Sequence, residues 1–214
     1  MPNQDVLATL ARVGALITGD HLVYTSGRHG SSYVNKDALY PHTAATSEVC
    51  ARIAARFADA GVEVVAGPTV GGVIMAQWTA HHLSVLAGRE VLAVYAEEEV
   101  AEDGARRRLF RRGYDALVAG RRVLVVEDIL TTGGSARLVV AAAHEAGGSV
   151  VGVGALCNRG GVSAEMIGAP LLFSLSEVPL ESFAPEECPL CAAGVPINTR
   201  VGKGAAFLGA KIGT

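Results

Sequence analysis

The segment from Arg121 to Arg137 reads RRVLVVEDILTTGGSAR and holds the residue types best suited to chemistry. Val123 to Val126 predict a buried strand, Glu127 and Asp128 stand at its carboxyl end, and Ile129 and Leu130 lead into a turn made of Thr131, Thr132, Gly133, Gly134 and Ser135. A helix is expected from about Ser135. Successive backbone N–H groups at a helix N-terminus, flanked by three hydroxyls, cradle an anion and suit a phosphate. Adjacent carboxylates repel a phosphate at close range, but they accept hydrogen bonds from sugar hydroxyls and orient the waters of a Mg²⁺ ion. The pair therefore points to a ribose whose 5′-phosphate lies in the turn. Read blandly, the segment is a strand, an acidic turn and a helix cap.

Three other stretches carry chemistry of the same kind. GPTVGG, from Gly67 to Gly72, puts Thr69, Val70, Gly71 and Gly72 between a strand and a helix, where small residues let backbone amides approach a ligand. ARRRLFRRG, from Ala105 to Gly113, packs five arginines (Arg106, Arg107, Arg108, Arg111 and Arg112) behind the acidic stretch EEEVAED. Such a run is either a solvated face or a local anion site. Arg159 in CNRGG follows another apolar strand, and a guanidinium pairs naturally with a carboxylate.

Positioning these groups calls for a parallel sheet. From Glu63 onward, short β-branched runs (EVVAG, EVLAVYAEE, RRVLVVEDIL, SVVGVGALCN, PLLFSL) alternate with helical stretches, GVSAEMIGA among them. That alternation describes an α/β fold with a central parallel sheet flanked by helices. A helix over 43–60 precedes the sheet and stops at Gly61. The first 40 residues predict a short helix from Gln4 to Ile17, followed by a Ser-, Gly- and Tyr-rich extended stretch. The expected organisation is an N-terminal hood segment over 1–42, a core over 43–172, and a C-terminal tail over 173–214 that joins the hood.

Composition narrows the function classes. The 214 residues are 50% hydrophobic and carry a net charge of −3, so no global positive field recruits nucleic acid or an anionic membrane. No apolar run approaches the length of a membrane span, and MPNQDVLATL lacks a signal peptide's basic start, so a cytoplasmic location is the default expectation. Four cysteines, at 50, 157, 188 and 191, are too few and too scattered for a disulfide scaffold. Cys188 and Cys191 form a CPLC motif, which reads as a compact structural turn, as a redox pair, or as half of a metal site needing Cys157, a histidine or another subunit. The six histidines show no metal-ligand spacing and are expected on the surface or on helix faces, with Trp78 packing within its helix.

VLVVEDILTTGGS resembles the phosphoribosyl pyrophosphate (PRPP) signature of the type I phosphoribosyltransferases. TSGRHGSSYVNKD, GPTVGGVIMA, CNRGG and the tail CPLCAAGVP are similar to segments of the orotate phosphoribosyltransferases, the tail to one bacterial and archaeal branch. The resemblance implies the type I fold and transfer of a phosphoribosyl group from Mg²⁺-bound PRPP to orotate, giving orotidine 5′-monophosphate and pyrophosphate. It assigns Glu127 and Asp128 to ribose and its hydrated Mg²⁺ with no direct protein ligand, Thr131 to Ser135 to the 5′-phosphate, and Thr69 to Gly72 to pyrophosphate.

Orotate falls to Arg159, Thr131, Tyr33, Thr25 and Lys36. Tyr33 is placed to pack on the pyrimidine, and Thr25 stands where some relatives have lysine. Arg106, Arg107 and Arg108 are the candidates on a mobile lid shared across a homodimer, with Arg111 and Arg112 on the returning strand. Gly71 occupies a position where many relatives carry lysine. Two alternatives stay open: a phosphoribosyltransferase for another nucleobase, and a PRPP-binding regulator without catalysis.

Overall fold

A computed structural model describes residues 2–24, 26–177 and 182–212. Helix α1 (Pro2–Arg12) leads into an antiparallel hairpin, β1 (Leu16–Val23) and β2 (His29–Val34). The helix predicted as far as Ile17 ends five residues sooner, because Gly14 adopts φ 69° and Leu16 and Ile17 enter β1. Two helices follow, α2 (Lys36–Leu39) and α3 (Thr43–Arg56); a 3₁₀ turn over Ala58–Ala60 replaces the last turn predicted for α3.

The main sheet is then laid down in alternation with helices. It comprises β3 (Val64–Pro68), α4 (Gly71–Ala87), β4 (Leu92–Val100), β5 (Arg106–Leu109), α5 (Tyr114–Val118), β6 (Arg122–Leu130), α6 (Gly134–Glu145), β7 (Ser149–Asn158) and β8 (Leu172–Ser176). Its order is β5-β4-β3-β6-β7-β8, parallel throughout except for the β4–β5 hairpin. Only Glu165–Ile167 of the helix expected in GVSAEMIGA is helical, and that as a 3₁₀ turn. The chain closes with α7 (Pro189–Ala192) and α8 (Gly204–Ile212).

Side-chain alternation along the strands sorts the core into two layers. Val65, Leu124 and Val126 pack against α3 and α4 in one cluster, which also takes in Val6 and Leu10 of α1. Val64, Ala66, Val123 and Val125 face Ala136, Val139, Val140 and Ala143 of α6 on the other side. Burial on both faces explains why Val123 to Val126 is an unbroken apolar run.

Strand order places the site. From β3 the chain winds outward through β4, and from β6 it winds the other way through β7 and β8, so the direction of winding reverses between β3 and β6. Loops leaving the carboxyl ends of two such neighbouring strands part to opposite faces and leave a crevice. The loops that open it here are Thr69–Val70 and Thr131–Gly133.

The histidines depart from expectation. His21 and His29 are fully buried rather than superficial, because β1 and β2 are covered by the C-terminal segment. His82, by contrast, stacks on Trp78 along α4 as a helix-face residue. No described helix is long and apolar enough to cross a membrane.

Candidate active site

Asp128 lies at the centre of the crevice, 4% exposed. Its Oδ2 accepts hydrogen bonds from Lys36 Nζ and Tyr40 Oη, both at 2.7 Å, and its Oδ1 accepts one from the backbone N–H of Ile129. Glu127 beside it accepts from the backbone N–H of Asp128 at 3.0 Å. Burial pushes the Glu127 carboxyl up to about 8, and the neighbouring charge of Asp128 adds to the rise. Burial works against the Lys36 ammonium, but its contact with Asp128 outweighs this and holds the pKa above the usual lysine value. The Tyr40 hydroxyl is raised as well, by burial first and then by Asp128. Two crowded carboxylates facing one ammonium have room for further positive charge.

The turn after β6 opens on a pocket of about 200 Å³ lined by Glu127, Ile129 to Ser135 and Ala136. Gly133 adopts φ 73° as the residue before α6, which swings the chain so that its amides and those of Gly134 and Ser135 start the helix. Thr132 Oγ1 accepts from the Gly134 N–H, and Ser135 Oγ accepts from Arg108 Nη2 at 3.3 Å.

Across the crevice, the Thr69–Gly72 loop comes very close to the acid pair. A Cβ built on Gly71 would press on Asp128 Oδ2 and the Tyr40 hydroxyl, so a side chain at this position would need one of those groups to shift. Val70 is largely exposed, whereas Gly71 and Gly72 are buried at the start of α4.

The arginine run is arranged differently from the open loop expected of it. Arg106, Arg107 and Arg108 already belong to the returning strand β5, in register with Val100, Glu99 and Glu98. The turn of the hairpin is confined to 101–105, and Arg111 and Arg112 lie in the chain after β5. Opposite charges on facing strands explain the early return. Arg106 pairs with Glu98, Arg111 with Glu99 and Arg112 with Glu97. Arg106 and Arg107 are exposed; Arg108 is 8% exposed and turns inward. It donates to Thr69 Oγ1 at 3.0 Å and to Ser135 Oγ, so one guanidinium bridges the loops on both sides of the crevice, with Glu98 3.4 Å away.

Arg159 follows β7 and donates from Nε to Thr131 Oγ1 at 2.9 Å. With Tyr24, Ser26, Thr131 and Ser182 it lines a second cavity of about 130 Å³. Tyr33 does not line this cavity, and Lys36 is drawn to Asp128 instead. Thr25 lies outside the described residues. Tyr24 and Tyr40 were both missed by sequence reasoning. Tyr24 sits one residue before the TSGRHGSSYVNKD motif, and Tyr40 lies four residues after Lys36 at the start of the next segment, so neither falls in a recognisable pattern.

Residues 36–177 match the phosphoribosyl transferase domain family. Among curated proteins, the orotate phosphoribosyltransferase of Pelotomaculum thermopropionicum is 36% identical over 92% of this chain and 95% of its own. That of Caldicellulosiruptor bescii is 37% identical over 86% of this chain and 88% of its own. A solved structure of the Mycobacterium tuberculosis orotate phosphoribosyltransferase in complex with PRPP is 27% identical and superposes with a TM-score of 0.61, covering 83% of this chain and 96% of that one. The chain belongs to the phosphoribosyl transferase domain family and, within it, to the orotate phosphoribosyltransferases.

Proposed function

We propose that this protein transfers the 5-phosphoribosyl group from PRPP to orotate, releasing pyrophosphate and forming orotidine 5′-monophosphate. One observation carries the reading: Thr131 lines both cavities, so a phosphate-binding turn and an arginine-lined slot share a wall. A ribose 5-phosphate held in the first presents its anomeric carbon toward an acidic ring compound held in the second.

In this reading the amides of Thr131 to Ser135 grip the 5′-phosphate, and Glu127 and Asp128 receive the ribose hydroxyls. The Thr69–Gly72 amides face pyrophosphate, and Arg108 adds charge where it departs. Arg159 binds the orotate carboxylate, with Tyr24 in the same wall. Substitution passes through an oxocarbenium-like state, so the protein's work is chiefly positioning and charge stabilisation.

The acid pair suits a divalent cation. Two buried carboxylates, one with its pKa pushed up, face a single ammonium and would gain from a hydrated Mg²⁺ carried in by PRPP. When bound, that ion neutralises charge on the departing pyrophosphate. The hood over the site is made by 1–42 and 173–214, the β4–β5 hairpin is the lid, and a second copy of the chain completes a homodimer in the cytoplasm.

Purified protein given Mg²⁺, PRPP and orotate is expected to consume orotate, followed by its absorbance, with one pyrophosphate released per orotate. Turnover with another base in place of orotate would move the reading to a different phosphoribosyltransferase, and PRPP binding without turnover of any base would make the protein a sensor.

A further inference from the structure

His21 of β1, His29 of β2, and Cys188 and Cys191 of the CPLC motif converge in the hood, well away in sequence from the PRPP turn. One ligand atom from each lies within 4.8 Å of every other. His21 Nε2 stands 3.0 Å from His29 Nδ1 and 3.6 Å from each of Cys188 Sγ and Cys191 Sγ, and Cys191 Sγ is 3.3 Å from His29 Nδ1. A tetrahedral Zn²⁺ with bonds of about 2.0–2.1 Å to nitrogen and about 2.3 Å to sulfur sets its ligands about 3.3 Å apart for two nitrogens and about 3.5 Å for nitrogen and sulfur. The observed separations fall close to those edges.

Proton positions argue the same way. His21 Nδ1 lies 2.7 Å from the Val195 carbonyl oxygen, which can only accept, so Nδ1 carries the proton and the Nε2 of the neutral ring carries a lone pair. Three further donor atoms crowd around that lone pair. A ring protonated at Nε2 as well has one N–H to give, and it cannot serve all three. A cation at the centre satisfies all four atoms at once, and the bond from Nδ1 to a backbone carbonyl is the arrangement that orients a metal-bound imidazole. His21, His29 and Cys188 are each at most 2% exposed, and Cys188 and Cys191 are not joined as a disulfide.

We propose that His21, His29, Cys188 and Cys191 bind one structural Zn²⁺. Two thiolates and two imidazoles in tetrahedral array select zinc over harder cations, and the set is closed, leaving no position for substrate. The ion joins the N-terminal hairpin to the C-terminal segment, two regions linked otherwise by side-chain contacts (Arg28 with Ser182, Asn198 with Asp20, His21 with the Val195 carbonyl, His29 with the Phe207 ring) and by backbone hydrogen bonds. Those bonds are His29 with Phe183 in both directions, Asn198 N–H to His21 O, and Lys203 N–H to Val23 O. Phe183 follows Ser182, which lines the Arg159 cavity with Tyr24 and Ser26, so the clip also steadies the outer wall of that cavity.

Protein purified without chelator is expected to hold one zinc per chain by elemental analysis, whereas the Cys188→Ser/Cys191→Ser double variant holds none. Stripping the wild type with a strong chelator under reducing conditions should lower Tm by roughly 10 °C or more, and added Zn²⁺ should restore it. Because the double variant is liable to misfold, a second readout uses the wild type alone. Stripped protein loaded with Co²⁺ should show the intense visible bands of tetrahedral cobalt and a thiolate-to-cobalt charge-transfer band, which Zn²⁺ abolishes. A Cys50→Ser/Cys157→Ser variant should keep the bands. Absence of zinc together with absence of the cobalt spectrum overturns the proposal, as does a Cys188–Cys191 disulfide in protein isolated under native conditions.

Discussion

The crevice at β6 and the cluster in the hood both gather polar groups in buried surroundings, yet they are assembled in opposite ways. At β6 the acids, the turn and the helix N-terminus come from one continuous run, Glu127 to Ser135, and the pocket beside them opens to solvent. In the hood the four side chains come from three separate segments and converge on one point instead of lining a cavity, three of them buried. The first arrangement leaves electrostatic needs for a substrate to meet; in the second, the proposed Zn²⁺ meets them within the fold. Unmet need is where a ligand gains binding energy, and internal satisfaction is where a fold gains rigidity.

That contrast predicts that substitutions at the crevice damage turnover more than stability. The largest effect is expected for Asp128→Asn, which takes the charge from the carboxylate that Lys36 and Tyr40 surround. Turnover should fall by about 100-fold or more while Tm stays within a few degrees. A Tm drop as steep as that from zinc removal would erase the distinction between the two regions.

Next in size, Arg159→Ala should raise the KM for orotate by about 10- to 100-fold through loss of a charge-assisted bond, leaving the KM for PRPP within about 3-fold. Equal rises in both would place Arg159 with the phosphate turn instead of the base slot.

Titration of Glu127 gives the third test. In the free protein its pKa is pushed up to about 8, so the folded state holds a proton that the unfolded chain gives up near 4.5. Its contribution to stability is therefore present at low pH and falls as pH rises from about 4.5 to about 8. A bound cation favours the ionised form, so Mg·PRPP binding should release a proton and tighten by up to about 10-fold per pH unit within that window. Calorimetry in buffers of different ionisation enthalpy measures the proton, and Glu127→Gln should remove it.

The smallest effects separate the arginines. Arg108→Ala, which loses the bridge between Thr69 and Ser135, should raise the KM for PRPP by about 5- to 10-fold. Arg112→Ala removes an exposed pair with Glu97 and should change kinetics by less than about 2-fold. Equal effects would mean that the run acts as a diffuse charged surface.

Much of the crevice is legible in the chain because its chemistry is local. The apolar run of β6 is buried on both faces and cannot be mistaken for a loop, and the acids, the glycines and the helix start follow within nine residues. Arg159 is legible for the same reason, standing at the end of β7. The arginine hairpin is less so. Its register depends on which glutamate meets which arginine across β4 and β5, a matter of pairing between strands, and the expected loop turned out to be the strand carrying Arg108. Tyr24 and Tyr40 carry no pattern at all; only the packing of the hairpin and of α2 against β6 brings them to Arg159 and Asp128.

The amino-acid sequence by itself determined the parallel α/β class, the hydroxyl- and glycine-rich turn at the start of α6 and the family, because each rests on residue types at short spacing whose physical consequences are local. Tertiary structure decided which groups meet across long separations. His21 and Cys188 are 167 residues apart, and no periodicity relates them. Only the return of the C-terminal segment over β1 and β2 turns an unpatterned pair of histidines and a CPLC turn into four converging ligands. Closure of so long a loop is set by the packing of the whole chain, which no short window of residues encodes.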